Sequence, residues 1–317
     1  MKMKKLGHSD LSIAPLVFGG NVFGWTADEA MSFRLLDAFV DAGFNLIDTA
    51  DVYARWAPGN KGGESETVIG KWLMKSQKRN KVLIATKVGM DLGDGKKGLK
   101  KEYILKAVED SLKRLKVDTI DLYQSHMDDP KTPILETLQA FDDLVKAGKV
   151  RAIGASQYSP ERLSESLRIS RDHHLSSYVS LQPLYNLYDR ENFEKKLAPV
   201  VKEFNLGVIT FFSLASGFLS GKYRTENDLQ KYERGDRVKA AYFNEKGLKI
   251  VKALDVVSKK LNAPIPSVAI AWILANPQIT APIASATNPD QFKALALGAE
   301  LKLDSESLEI LNEASPV

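Results

Sequence analysis

Residues 82–126 read VLIATKVGMDLGDGKKGLKKEYILKAVEDSLKRLKVDTIDLYQSH, and the order of patterns in this stretch decides the fold. The short apolar, β-branched run Val82–Lys87 predicts a buried strand. Lys101–Leu115 then spaces Ile104, Val108, Leu112 and Leu115 by four, four and three residues, which lines up one apolar helix face. Thr119–Ser125 is a second apolar run. Strand, long crossover helix, strand is a βαβ unit, and such units join parallel strands.

The same alternation extends outward in both directions. Strands are predicted at Pro15–Gly19, Asn45–Asp48, Val150–Gly154, Val179–Gln182, Gly207–Phe211 and Thr280–Ile283. Helices are predicted at Glu29–Ala42, with Phe33, Leu36, Phe39 and Val40 on one face, and at Ile134–Ala147, with Thr132 as cap, Pro133 in the first turn and Gly148 as stop. Pro160 opens Glu161–Arg171 in the same manner, followed by Asn192–Phe204, Phe243–Leu261, Ser267–Ala275 and Pro289–Leu297. Eight strand–helix units favour an α/β (β/α)8 TIM barrel over a doubly wound sheet. With no break in composition, residues 1–317 are expected to form one domain. Lys4–Leu6, a turn over Gly7–Asp10 and Leu11–Ile13 predict an N-terminal β-hairpin, and Asp304–Ala314 a C-terminal extra helix.

Composition narrows the chemistry. A formal net charge of +4 over 317 residues is too slight and too scattered for a nucleic-acid footprint. Without cysteine there is no disulfide, thiolate nucleophile or Cys-ligated metal, and four histidines leave little for a His-based metal site. MKMKKLGHSD carries charge with no apolar stretch behind it, and no run reaches the ~18 apolar residues of a membrane span. A cytoplasmic protein without membrane or nucleic-acid partner is expected; its oligomeric state is not readable. Two motifs mislead. Gly93-Asp94-Gly95-Lys96-Lys97-Gly98 fits the dinucleotide pattern G-x-G-x-x-G, but Val88–Leu92 separate it from the strand end and Asp94 would face a pyrophosphate. Tyr242-x-x-x-Lys246 looks like a dehydrogenase pair, yet it reads as a solvated helix start without a Rossmann half before it.

Parallel barrels gather catalytic side chains where strands finish. The second, third and fourth strands finish at Asp48, Lys87 and His126, and Tyr53 lies on the loop after Asp48. A phenol titrates near 10, so acid–base work near neutrality needs help of about three units, or ~4 kcal/mol. An ammonium ~4 Å away supplies that order of energy at an effective dielectric of about 20. Lys87 is the source of that charge, Asp48 the partner that keeps it charged, and His126 the group that orients a substrate oxygen beside Tyr53. This is an acid–base tyrosine for interconverting carbonyl and alcohol; lacking metal and nucleophile, it needs a cofactor for the hydride.

Six stretches then carry a resemblance along essentially the whole chain. GFNLIDTADVY (Gly43–Tyr53), ATKVG (Ala85–Gly89), DLYQSHMDDPKTP (Asp121–Pro133), GKVRAIGASQYSP (Gly148–Pro160), LQPLYNLYDR (Leu181–Arg190) and GVITFFSLASGFLSGKYR (Gly207–Arg224) resemble the aldo-keto reductase signatures, in order and at that family's spacing. The glycine-rich last stretch is similar to the bacterial and potassium-channel β-subunit-like branches. The resemblance implies a TIM barrel, an NAD(P)H-dependent carbonyl reductase acting on small carbonyl compounds, and an Asp48–Tyr53–Lys87–His126 tetrad. It implies that Ser156, Gln157 and Gln182 hold the nicotinamide carboxamide and that Phe212 stacks on the ring. It also implies that Ser213–Lys222, including Leu214, Gly217, Leu219 and Gly221, covers the pyrophosphate together with Arg224.

Two departures from the pattern matter. Gln157 stands where the family usually has asparagine, and Phe212 where tyrosine is commoner. After the eighth strand the family's basic clamp for the adenosine ribose phosphate is missing. Only Ser285, Thr287, Asn288 and Gln291 offer neutral donors, and no basic residue comes before Lys293. NADPH is the expected cofactor, with NADH also accepted. Trp25 and Trp56 are expected to wall the substrate pocket beside Tyr53 and His126, and the charged stretch Thr225–Tyr242 to form a loop over the cofactor. The competing reading is a nicotinamide-binding regulatory or redox-sensing subunit with little turnover.

Overall fold

Parallel pairing closes eight strands into a barrel in the computed structural model, which describes residues 1–317. After the antiparallel hairpin β1 (Lys4–Lys5) and β2 (Ser12–Ile13) come β3 (Val17–Gly19), β4 (Leu46–Asp48), β5 (Leu83–Val88), β6 (Ile120–Ser125), β7 (Val150–Ser156), β8 (Tyr178–Gln182), β9 (Gly207–Thr210) and β10 (Ala281–Ala284). Neighbours in the barrel follow chain order from β3 to β10, and β10 returns to pair with β3. This is the (β/α)8 fold, and every predicted strand corresponds to one of its staves.

The outer ring consists of α1 (Glu29–Asp41), α2 (Glu64–Ser76), α3 (Lys101–Leu115), α4 (Ile134–Lys146), α5 (Pro160–Asp172), a π-helical turn at Asn192–Leu197 running into α6 (Ala198–Glu203), α9 (Glu245–Leu261), α10 (Ile265–Ala275) and α11 (Pro289–Glu300). Two short helices, α7 (Glu226–Leu229) and α8 (Gly235–Ala241), occupy the stretch expected to be a loop, and α12 (Ser305–Ala314) is the extra C-terminal helix. None of these helices is long and apolar enough to cross a membrane.

The hairpin seals the amino-terminal end of the barrel. Its Leu6, Leu11 and Ile13 pack with Val17, Leu46, Ala85, Leu122, Ile209 and Ala281, all buried, in an apolar plug. Gly7 permits this seat, because a Cβ there would lie 2.1 Å from the carbonyl oxygen of Val179. With one end sealed, the open face is the one where the strands finish.

Local chemistry corrects three expectations. The polar start and central glycine of α2 hide it from a pattern reading; Gly70 is required because a Cβ would sit 2.1 Å from Arg114 O on α3. Thr132 does not cap α4. Its hydroxyl donates to Asp129 Oδ2, and Pro133 holds the cap position. Tyr242 is buried and donates to Asp189 Oδ2, so it is a packing residue; Lys246, in the first turn of α9, is exposed as expected and donates to Tyr188 O. Gly93–Gly98 opens no helix; α3 starts only at Lys101.

The α2–α3 contact encloses Glu66, which has no exposed surface and accepts from Thr86 Oγ1 at 2.6 Å and Arg114 Nε at 2.6 Å. Removing one member of a buried ion pair strands the other. Glu66→Ala is therefore expected to lower unfolding free energy by about 3 kcal/mol in urea denaturation, and a loss under about 1 kcal/mol would contradict the pairing argument.

Candidate active site

At the open end, strand register sets which side chains face one another. Asp48 pairs with Ala85 and Lys87 with Gln124, while Ser156 pairs with Gln182 on the far wall. Alternation along β5 puts Lys87 on the same inner face as Ala85. Polar groups from β4, β5, β6, β7 and β8 thus reach the mouth just above the apolar plug.

Lys87 is the hub. Its Nζ donates to Asp48 Oδ2 at 2.7 Å, to Thr49 O at 2.7 Å and to Tyr53 OH at 2.8 Å, which uses all three of its protons. It is fully buried and Asp48 nearly so. Burial pulls the Lys87 ammonium down, but Asp48 and Tyr53 outweigh it and hold it above its ordinary value, so it remains a cation. Burial dominates at Tyr53 and leaves the phenol above its ordinary 10, with Lys87 opposing the rise. The lysine therefore offsets part of a desolvation effect rather than carrying the phenol down to neutrality, because the packed mouth of the barrel excludes more water than the residue types alone announce.

His126 follows β6, with its ring centroid 5.8 Å from that of Tyr53. Burial first, and the Lys87 charge second, push the imidazole well below its usual range, so it is neutral at physiological pH. A neutral ring has one N–H to donate. All four strand-end residues expected at the mouth are thus brought together.

Gln124 is an addition that the alternating pattern of Leu122, Gln124 and His126 had the means to reveal. Its Nε2 approaches Asp48 Oδ1 at 3.3 Å, and Gln182 Nε2 donates to the same oxygen at 2.9 Å. Asp51, between Asp48 and Tyr53, is a second addition. Both of its carboxyl oxygens are buried without partners, and burial, reinforced by Glu66, raises it well above the carboxylate range.

The residues expected at a cofactor lie around this centre. Ser156 Oγ donates to Gln182 O, and Gln157 Nε2 donates to His126 O, each at 3.0 Å. Phe212 sits half-buried at the end of β9, its backbone in the left-handed region, as are Ala215, Ser216 and Gly217. The run of positive φ folds the segment back on itself: the amides of Ala215, Gly217, Leu219 and Gly221 are spent on Phe212 O, Leu214 O, Leu214 O and Phe218 O. Ser216 Oγ is buried there without a partner, the Lys222 stem passes Gly217, and Ser213, Leu214, Leu219 and Gly221 complete the segment. The unpartnered Ser216 hydroxyl and the Lys222 ammonium, which has no carboxylate partner, are donors that fit a phosphate. Arg224 is engaged elsewhere: its guanidinium is held by Asp255 and by Gly221 O.

At the end of β10, Ser285 Oγ lies 2.7 Å from Gly19 O, Asn288 caps α11 by accepting from Gln291 N at 2.9 Å, and Gln291 Oε1 accepts from Thr287 N at 2.8 Å. Lys293 pairs with Asp290. No cation stands free at this helix start. On the neighbouring rim, after β3 and β4, Trp25 and Trp56 meet edge to face at 5.7 Å, and Trp56 meets Tyr53 at 5.9 Å.

The aldo/keto reductase family model matches residues 15–316. Over 324 residues the chain is 34% identical to "Uncharacterized oxidoreductase YrpG" of Bacillus subtilis, covering 100% of this chain and 96% of that one. It is 33% identical over 312 residues to "Aldo-keto reductase YhdN" of the same organism, covering 96% and 89% of the two chains. A "Probable voltage-gated potassium channel subunit beta" of Oryza sativa is 31% identical over 301 residues, covering 92% and 89%.

Proposed function

We propose that this chain, which belongs to the aldo/keto reductase family, reduces aldehydes or ketones to alcohols with Tyr53 as the proton donor. Members of the family are in general NAD(P)H-dependent oxidoreductases acting on small carbonyl compounds. One observation carries the proposal: a buried ammonium 2.8 Å from a phenol oxygen, with a neutral imidazole beside it. A carbonyl oxygen placed between Tyr53 and His126 accepts a hydrogen bond from each. As its carbon is reduced, the oxygen gains charge and takes the phenolic proton, and Lys87 stabilises the phenolate left behind.

The nicotinamide nucleotide supplies the hydride when bound. Gln182 commits its amide N–H to Asp48, which leaves Oε1 to accept from a carboxamide. Phe212 offers a ring face, Ser156 and Gln157 border the same wall, and the Phe212–Lys222 segment offers the Ser216 hydroxyl and the Lys222 ammonium to phosphates.

The test follows NADPH, and separately NADH, absorbance with a panel of small and aromatic aldehydes. Oxidation with either nucleotide is the expected result. No oxidation while both nucleotides bind would replace this reading with a nucleotide-sensing subunit. The cofactor preference is expected to be shallow. Neutral donors at Ser285, Thr287, Asn288 and Gln291 are weaker than charged ones, so kcat/KM for NADPH should exceed that for NADH by less than roughly 1,000-fold. A larger ratio would mean that a cation outside the β10–α11 turn reads the phosphate.

A further inference from the structure

The turn that follows β8 grips the backbone of Phe212. Asn186 lies in this turn with no exposed surface. Its Nδ2 donates to Phe212 O and to Asp189 Oδ2, each at 3.0 Å, and its Oδ1 accepts from Tyr188 N at 2.7 Å and from Asp189 N at 3.0 Å. Two protons and two lone pairs are all that a carboxamide has, so the side chain is used in full. Asp189 Oδ2 also accepts from Tyr242 OH at 2.9 Å, which ties the turn to the chain leaving α8.

Phe212 needs such a grip. Its φ of +53° lies in the left-handed region, where a Cβ is crowded, and a residue other than glycine stays there only when its surroundings hold it. The residue before it is fixed by pairing: Phe211 N donates to Pro183 O at 3.0 Å, and Leu184 bridges to Phe211 in parallel. Phe212 breaks from that extended line, and its carbonyl oxygen takes two donors, Asn186 Nδ2 at 3.0 Å and Ala215 N at 2.7 Å. Ala215 only closes the local turn. Asn186 comes from a different loop, so it alone fixes where that turn stands relative to β8, the strand that ends in Gln182. Relaxing φ at Phe212 to a negative value would swing the Cβ, and the ring with it. Aspartate at this position would face Phe212 O and Asp189 with an acceptor, and serine is too short to reach the carbonyl.

We propose that Asn186 is a positioning residue: acting through the Phe212 carbonyl, it holds the Phe212 ring where a nicotinamide ring lies against it. This rests on the nucleotide reading above and assigns the aim of the ring to a residue in another loop.

The test is calorimetric and needs no carbonyl compound. It compares NADPH with 2′-phospho-ADP-ribose, which keeps the adenosine and phosphates and lacks the nicotinamide; NADH and ADP-ribose serve if that pair binds more tightly. In Asn186→Ala only the ligand that carries the nicotinamide should lose affinity. Its advantage over the truncated ligand should shrink at least about fivefold, the lower end of what stacking on an aromatic side chain contributes. Phe212→Ala should shrink it by a like factor, and adding Asn186→Ala to Phe212→Ala should change it by less than about twofold. Asn186→Ser covers the case in which the alanine variant does not fold. Its hydroxyl still accepts from the N–H groups of the turn, as serine does in such turns, and the advantage should shrink as in Asn186→Ala. An unchanged advantage in a folded variant, equal weakening of both ligands, or full additivity with Phe212→Ala overturns the proposal and leaves Asn186 a part of loop structure. A native chain that binds neither NADPH nor NADH overturns it together with the cofactor reading. Binding without reduction of any aldehyde removes the reductase reading alone, and the same comparison still decides the role of Asn186.

Discussion

Tyr53→Phe is expected to lower kcat for aldehyde reduction at least about 100-fold while nucleotide affinity changes little. The substitution removes one oxygen and keeps the ring, so the contacts to Trp56 and His126 remain. Lys87 keeps Asp48 and Thr49 O as partners, so the buried ammonium is not stranded. What disappears is the only hydroxyl at the hub that can give a proton to a reduced oxygen; His126, held neutral, can still donate a hydrogen bond but cannot replace the phenol next to the ammonium. Single-turnover nucleotide oxidation, with fluorescence titration of the nucleotide alongside, separates chemistry from binding. A kcat within about threefold of the native value would take Tyr53 out of the proton step.

How far the sequence led depended on the range of the interaction concerned. Every strand was visible because β-branched runs such as Val82–Lys87 and Thr119–Ser125 announce burial locally, and strand-end residues then follow from counting. That is why Asp48, Lys87, His126 and Tyr53 could be expected at one mouth. Features set by packing between distant segments were hidden. The start of α2 has no side-chain cap and its Gly70 serves a contact with Arg114, 44 residues on by the numbering, so no local signal marks it. Thr132 looked like a cap, but Asp129 is nearer to hand. The charged stretch Thr225–Tyr242 read as a loop over the cofactor, and only the fold shows that it holds α7 and α8 and that Arg234 and Arg237 meet rings rather than acids. The direction of the Tyr53 shift belongs to the same class, since water exclusion at the barrel mouth is a property of the closed sheet and not of any short motif.

Lys87→Met tests how that balance works. Methionine fills similar space without charge, and Asp48 would then keep only the amides of Gln182 and Gln124. Losing one partner of a buried pair is expected to lower stability by about 3–5 kcal/mol, so a thermal melt must first establish that the variant is folded at the assay temperature. In the native chain the phenol lies above its ordinary 10, so the donor form prevails at neutral pH. Reduction should therefore be flat through neutrality and fall only as pH climbs through that raised value, while alcohol oxidation, which needs the phenolate, should rise over the same window. Without Lys87 nothing opposes burial and the Asp48 charge, so both limbs move to still higher pH. The transition state also loses an ammonium worth up to ~4 kcal/mol at an effective dielectric of about 20, and kcat should fall at least about 100-fold. If the variant is folded and its oxidation limb has not moved, the lysine acts on Asp48 alone, and the phenol draws its reactivity from another group at the mouth.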